Sequence, residues 1–433
     1  MARKRTSELK SLVAAVVVAA TVVGLILLWP HRLPAGYLES DYPGQTAPPA
    51  QPVQPAPQPE PVPTPRPIAD NPTNRLIEMV ELGEPIRWGG LTLFPLVAPK
   101  AEPATKIYSL ATAVDHGWVT IEEDNPRSVS RAILVNKSDN LVLVLAGELV
   151  KGGQQNRSSQ KDLLLGPDSR VAIDLYCVEH GRWAGEAKFD SARAIAPQSV
   201  RAGNIAGGSQ AQVWADVKAF NEAAGAASPS ESLLAGMDSD KVQRELADCR
   251  KAVLPKLPEG TVGLVAGRAG FGGGEPRVFA ADLFVDKSLF DACKQMLLDS
   301  YAAEEIYHKL VSPPNRAPRI DLEGGKDQAQ IIRPPVPRPP TREQAARFLA
   351  ATVAADLTTM PTPGVGNLWR ISGSATGQSL GYRGQAVHIA LTSPRVTPVV
   401  DPQPVEPMPG PRPPHPPMPP YPRPHPPEPM PYE

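Results

Sequence analysis

Short apolar runs alternate with helically spaced segments through the middle of the chain. The runs are bounded by Gly, Pro, Asn or Asp and predict β-strands at 91–97, 128–135, 141–148, 171–179, 261–267, 277–285 and 384–392. Residues 136–140, NKSDN, have the side chains that favour turns. We therefore expect the second and third of these strands to form a hairpin.

Apolar residues spaced three and four positions apart predict helices at 74–80, 107–117, 209–220 and 286–310. Gly117 lies where a C-terminal cap is expected. Another helix should begin at Thr341, since Gln344 can complete a capping box with it. The helix at 286–310 should bury five side chains: Leu289, Phe290, Cys293, Leu297 and Tyr301.

These elements together predict a single mixed α+β domain with a partly buried sheet, over residues 73–393. A Pro-rich insert near 311–340 interrupts it, and the small, polar stretch 223–239 is predicted to be a loop.

The amino-terminal segment predicts a membrane anchor. Four basic residues precede residues 12–29, which carry no charge and would span about 27 Å as a helix at ~1.5 Å per residue. The basic residues should keep 1–11 in the cytoplasm and place the domain outside it. The alternative is a cleaved secretory signal, but Pro30, His31 and Arg32 follow the span and do not form a convincing cleavage site.

Proline dominates both flanks of the predicted domain. Residues 30–72 and 394–433 hold many of the 54 prolines and should form extended, disordered segments without helix or sheet. The first would act as a linker, and the second could reach a protein or cell-wall partner. A net charge of −1 with no basic stripe argues against nucleic-acid binding.

Familiar catalytic and cofactor motifs do not occur. The glycine-rich run 267–274 fails as a dinucleotide motif because Glu275 takes the position of the last glycine. We predict neither a metal site nor a cofactor. The cysteines, Cys177, Cys249 and Cys293, are odd in number and widely spaced, which favours buried free thiols, although one disulfide pair remains an alternative.

Two polar stretches follow predicted strands. GELVKGGQQNR, residues 147–157, holds Glu148, Gln155, Asn156 and Arg157, and CVEHGRW, residues 177–183, holds Glu179, Arg182 and Trp183. If the two strands are neighbours, both glutamates and both arginines converge at one edge of a sheet.

Two interpretations fit this pattern. In the first, the glutamates and arginines neutralise one another and tether loops, with Trp183 in the core. In the second, Gln155, Asn156, the arginines and Trp183 bind a small anion, and Glu148 or Glu179 acts as a general base.

Both stretches, a QxxVW helix at 210–214, and the segments 102–122 and 365–391 together resemble the ARPP-1 domain, the ARG and Rhodanese-Phosphatase-superfamily-associated protein domain of bacteria and archaea. The closing segment has Arg370 and His388 in place. The resemblance covers most of 85–393 and departs from the family at the Pro-rich insert.

The family is named for the genes it accompanies, among them ADP-ribosylglycohydrolase and phosphatase-like proteins, so the resemblance implies nucleotide-derived or phosphorylated ligands by association. We expect a membrane-anchored, extracytoplasmic ligand-binding or scaffold module. The alternative is a hydrolase that combines a glutamate base with an arginine anion clamp.

Overall fold

The computed structural model describes residues 70–98, 105–125, 128–226, 228–270, 275–311, 319–321, 330–332 and 337–393. The predicted anchor at 12–29, almost all of the 30–72 linker, the 394–433 tail and most of the 311–340 insert lie outside these residues. Within the described part of the chain, no helix is long and apolar enough to cross a membrane.

The described residues form a mixed α+β structure, as predicted. The helices are α1 (Pro72–Glu78), α2 (Leu110–Asp115), α3 (Gln198–Ala206), α4 (Gln210–Ala224), α5 (Leu233–Met237), α6 (Asp240–Val253), α7 (Lys287–Val311) and α8 (Arg342–Val353), and a 3-10 turn spans Leu254–Lys256. The strands are β1 (Glu81–Leu82), β2 (Ile86–Trp88), β3 (Leu91–Val97), β4 (Ile107–Ser109), β5 (Val119–Asn125), β6 (Ser128–Asn136), β7 (Leu141–Val144), β8 (Glu148–Gly152), β9 (Arg157–Ser159), β10 (Leu163–Leu165), β11 (Ser169–Cys177), β12 (Lys188–Ile195), β13 (Thr261–Arg268), β14 (Arg277–Phe284), β15 (Arg319–Asp321), β16 (Gln330–Ile332), β17 (Asp356–Met360), β18 (Asn367–Ser372), β19 (Thr376–Tyr382) and β20 (Gln385–Thr392).

A nine-stranded antiparallel sheet has the order β1-β3-β13-β14-β20-β19-β18-β17, with β2 also paired to β3. Both of its faces are covered, so its central strands are almost wholly apolar. In β13, Leu264 and Ala266 pack in the cluster that includes α7, whereas Val265 packs in the cluster that includes α1 and α8. The two-residue period of the strand thus divides its side chains between two cores.

A closed barrel is the second unit of architecture, with the order β11-β6-β5-β12-β8-β9. Alternate side chains fill its interior, including Ile121, Leu134, Val150 and Leu175. Beside it lies a small sheet of order β10-β7-β4, in which β4 and β7 run parallel. The sequence patterns did not predict a barrel.

The predicted hairpin of 128–135 with 141–148 is wrong. β6 pairs with β5 and β11 in the barrel, whereas β7 pairs with β10 and β4 in the small sheet. The turn chemistry of 136–140 is present, since Asn136 Oδ1 accepts the N–H of Ser138 at 3.1 Å, but the chain crosses there between two sheets.

Two further expectations need correction. The segment 107–117 begins as β4, and its helix starts only after Ser109, whose hydroxyl caps the N–H of Thr112 at 3.2 Å. The predicted loop 223–239 contains the short helix α5.

The strand predicted at 141–148 ends at Val144, and Glu148 begins β8 rather than ending that strand. The remaining predicted elements are present, with ends that shift by a few residues. Helix α7 buries the five side chains that its spacing predicted, and α8 has the capping box of Thr341 and Gln344. Strands β13 and β14 pair as neighbours. All three cysteines are free and buried.

Candidate functional site

The two polar stretches lie next to each other at one end of the barrel. Strand β9, which begins at Arg157, pairs with β8 on one side and with β11 on the other. In the second pairing Arg157 lies opposite Cys177, so the loops that follow β8 and β11 are brought together. The strands that precede the two stretches, β7 and β11, are not paired with each other as the prediction required, and the stretches meet through β9 instead.

Glu179 and Arg182 form the centre of this loop cluster. The Arg182 guanidinium donates to one Glu179 oxygen from Nε at 3.0 Å and from NH2 at 2.8 Å. The backbone N–H of Asn156 donates to the same oxygen at 3.0 Å. Burial opposes ionisation of Glu179, but the hydrogen bonds from Arg182 and Asn156 outweigh it and lower its pKa. Glu179 is thus held as a carboxylate that these donors already engage.

The remaining hydrogen bonds of Arg182 join the two loops. Its NH1 donates to the carbonyl of Gly153 at 2.7 Å, and its NH2 donates to that of Gly152 at 3.1 Å. Asn156 accepts the N–H of Gly152 at 3.0 Å and donates to the Ser232 hydroxyl at 3.1 Å. The arginine therefore serves as a connector between backbone segments.

Gln155 and Trp183 take contrasting positions. Gln155 is fully buried and donates to the carbonyl of His180 at 3.3 Å. Trp183 is 56% exposed and does not belong to the core, contrary to the first interpretation of the sequence. Its ring is the large apolar surface that this loop presents to solvent.

Arg157 pairs with a residue that the sequence analysis did not select. Its side chain is completely buried, and NH2 donates to both carboxylate oxygens of Glu123 at 2.6 Å. Its NH1 donates to the carbonyl of Arg131 at 2.8 Å, and its guanidinium carbon lies 4.6 Å from the ring centre of Phe189. Arg157 therefore joins β9 to β5 and β6.

Glu148 lies in a different environment from Glu179. It is 2% exposed, and one of its oxygens accepts the N–H of Leu145 at 3.0 Å. Its other oxygen, Oε1, is buried and has no hydrogen-bond partner among the residues that the structure describes. Burial raises the pKa of Glu148 to about 7, well above the ordinary glutamate value.

A second charged cluster, absent from the sequence analysis, connects the barrel region to the large sheet. Its members are completely or almost completely buried: Asp162, Arg201, Asp282, Tyr301 and His388. Arg201 on α3 binds Asp282 on β14 through two hydrogen bonds, of 2.7 and 2.6 Å. His388 on β20 contacts Asp162 at 2.6 Å through Nδ1 and Asp282 at 3.1 Å through Nε2. Tyr301 on α7 donates its hydroxyl to Asp282.

This cluster is balanced in charge. Burial opposes the charged form of His388, but Asp162 and Asp282 outweigh it and raise the pKa of His388 to about 9. Burial also opposes ionisation of Asp282, yet Arg201 and His388 hold its pKa well below the ordinary range. At neutral pH the cations of Arg201 and His388 therefore face the Asp282 carboxylate, and pairing of opposite charges is the arrangement that makes buried charge tolerable.

The described side chains offer few groups for metal binding or nucleophilic catalysis. Among the described residues, no group of three or more His, Cys, Asp or Glu side chains is placed to hold a metal ion. Burial raises the pKa of Cys177 to about 11 and that of Cys249 to about 12, so these thiols are poor nucleophiles. Two cavities of about 390 and 380 Å³ are lined by other residues than Glu148 and Glu179.

The fold and site define a barrel-and-sheet α+β domain stabilised by buried ion pairs. The model of the ARPP-1 family, the ARG and Rhodanese-Phosphatase-superfamily-associated Protein domain, matches residues 79–392. This match covers most of the chain, which therefore belongs to the ARPP-1 family. The comparison with curated proteins found no match, and neither did the comparison with solved structures.

Gly147→Ala tests how strongly the fold depends on the position of Arg201. Gly147 has φ +82°, and an added Cβ would lie 2.5 Å from Cγ of Arg201. The variant should lose more stability than Gly384→Ala, where φ is +79° and no atom lies within 4 Å of the added carbon.

The control variant, Gly384→Ala, has the same backbone strain of about 1–2 kcal/mol but no clash with a neighbouring side chain. Displacement of Arg201 from Asp282 should bring the cost at Gly147 to about 3–5 kcal/mol, measured by urea unfolding. Equal losses in the two variants would show that Arg201 adjusts without leaving its partner.

Glu148→Gln tests the raised pKa of Glu148. The folded protein retains a proton on this carboxyl between the ordinary pKa of 4.5 and about 7, so the parent should lose stability as pH rises through this window. Glutamine imitates the protonated acid and cannot titrate. The variant should therefore gain on the order of 3 kcal/mol relative to the parent between pH 5 and 8. A stability difference that stays constant with pH would contradict the assignment.

Proposed function

We propose that this protein is a ligand-binding or scaffold module of the ARPP-1 family, held at a membrane with its domain outside the cytoplasm. The observation that carries the non-catalytic part is the Glu179–Arg182 pair. A general base must have a free lone pair that faces its substrate, whereas one oxygen of Glu179 already accepts from Arg182 and Asn156, and the carboxylate also accepts from the Ser230 side chain.

The predicted anion clamp is also occupied from within the protein. Arg157 is completely buried against Glu123, and Arg182 holds Glu179 and the carbonyls of Gly152 and Gly153. To bind an anion, either guanidinium would first have to give up charge-assisted hydrogen bonds, which are the stronger kind. This favours a structural role for both arginines.

A hydrolase is the second candidate, and one observation favours it. Glu148 combines a pKa of about 7 with an unpartnered carboxylate oxygen, the properties of a general base poised for neutral pH. Its 2% exposure counts against direct contact with a substrate. Among the described side chains we find no activated nucleophile or metal cluster to assist it.

Turnover assays separate the two candidates. The full chain should not hydrolyse p-nitrophenyl phosphate, nucleotides or ADP-ribose above the background of Glu148→Gln or Glu179→Gln, assayed by phosphate release and chromatography from pH 5 to 9. Activity that disappears in Glu148→Gln and persists in Glu179→Gln would overturn the non-catalytic proposal and identify the base.

The proposed location is supported by the amino-terminal sequence. Residues 12–29 are uncharged and follow a basic segment, which favours an uncleaved anchor with the cytoplasmic tail at 1–11. The Pro-rich residues 30–72 would then separate the domain from the bilayer, and the 394–433 tail would be available to a protein or cell-wall partner.

Deletion of residues 12–29 should release the protein from membranes. In a bacterial host the intact chain should remain in the membrane fraction after an alkaline wash, and the deletion variant should become soluble. Removal of the equally long segment 45–62 from the Pro-rich region is the control and should leave the protein in membranes. Protease added to spheroplasts should digest the domain; a protected domain would contradict the extracytoplasmic location.

A further inference from the structure

One cavity lies between the barrel and the edge of the large sheet. Its volume is about 380 Å³, near the lower end of the range for small-molecule sites. One wall comes from β6, β11 and the connection between β9 and β10, and the other from the loop between β17 and β18 and from Leu368. It is separate from the loop cluster around Glu179 and Arg182.

The loop of residues 361–366 is held firmly against the rest of the domain. The N–H of Val365 donates to the carbonyl of Leu164 at 2.9 Å, and a side chain at position 364 would clash with that same carbonyl. Pro361 and Pro363 restrict the backbone further. The cavity is therefore formed before any ligand arrives, which lowers the entropic cost of binding.

A cation without a counter-ion lines this cavity. Within the described residues, the Lys161 side chain forms no hydrogen bond or ion pair. Arg131, on the same lining, has only long ion pairs, 3.6 Å to Asp124 and 4.0 Å to Asp174. Asp162 also contributes to the lining, but its carboxylate is taken by His388 and by the N–H of Ala146. The lining thus contains two basic residues, Arg131 and Lys161, and two acidic ones, Asp162 and Asp174, and Lys161 is the one whose side chain has no ion pair within the described residues.

The remaining lining fits the body of an organic molecule. Leu163, Ile173 and Leu368 supply buried apolar surface, and the two prolines of the loop add more. The hydroxyl of Thr362 accepts the N–H of Gly364 at 3.3 Å, so its own hydrogen is left for a ligand. A few polar groups among apolar ones is the usual composition of a small-molecule site.

We propose that this cavity binds a small organic monoanion with a compact apolar body, such as an aromatic carboxylate, with Lys161 as its counter-ion and Thr362 as a hydrogen-bond donor. The proposal rests on the binding-module function above and names its site and ligand class. Because the occupant would touch both walls, it would stabilise the contact between the barrel and the β17–β18 edge.

Calorimetric titration of the full chain in a mild non-ionic detergent tests this with two probes of one shape, benzoate and neutral benzamide. Benzoate should bind, and benzamide should bind about tenfold more weakly or worse, because it forms no charge-assisted bond with Lys161. Lys161→Gln should weaken benzoate binding by about the same factor and leave benzamide unaffected.

Lys137→Gln is the matched control, since Lys137 is an exposed lysine at the end of β6 that does not line the cavity. This variant should bind benzoate as the parent does. Because both proteins are measured in the same detergent, partition of the probe into detergent affects them equally. Equal binding of benzoate and benzamide, unchanged affinity in Lys161→Gln, or no benzoate binding up to millimolar concentration would overturn the proposal. Since benzoate cannot be hydrolysed, this result is independent of the turnover assays.

Discussion

The buried contact between Arg201 and Asp282 is the interaction on which the rest of the structure depends. It joins α3, which follows the barrel, to β14 at the middle of the large sheet, and His388 extends it to Asp162. Removal of one partner from such a buried pair usually costs about 3–5 kcal/mol, a large share of the ~5–15 kcal/mol that stabilises a typical domain. Loss of one partner would therefore leave an uncompensated charge buried between the elements that this cluster joins.

This dependence explains features that look catalytic in the sequence. Gly147 carries no side chain because the stem of Arg201 occupies that space, and the carbonyl of Ala146 accepts from Arg201 at 2.8 Å. The turn before β8, which begins at Glu148, is thus shaped by an arginine 53 positions further on. Glycines and acids after a strand are typical of active sites, but here they make room for an ion pair and tie loops together.

Local patterns predicted the elements well, because the apolar residues of the strands and of helix α7 recur at the spacing typical of a strand or a helix. The pairing of β6 and β7 could not be read in this way, since both candidate partners are equally apolar. Helix α6 was missed although Val242, Leu246, Cys249 and Val253 have helical spacing, because polar residues surround them.

The charged cluster could not be predicted from local sequence, because Asp162 and His388 are 226 residues apart. Within the predicted site, the Glu179–Arg182 pair could be predicted from the sequence, because its two members are three residues apart.

The position of the proposed ligand cavity follows from the same architecture. A barrel and a twisted sheet cannot match in shape along a whole boundary, so their contact leaves a gap at the edge, where the β17–β18 loop closes over β10. Asp162 lines that gap and also belongs to the buried cluster. An anion bound beside Lys161 would add attraction across the boundary that the cluster already bridges. Binding of the proposed ligand would therefore strengthen the contact between barrel and sheet.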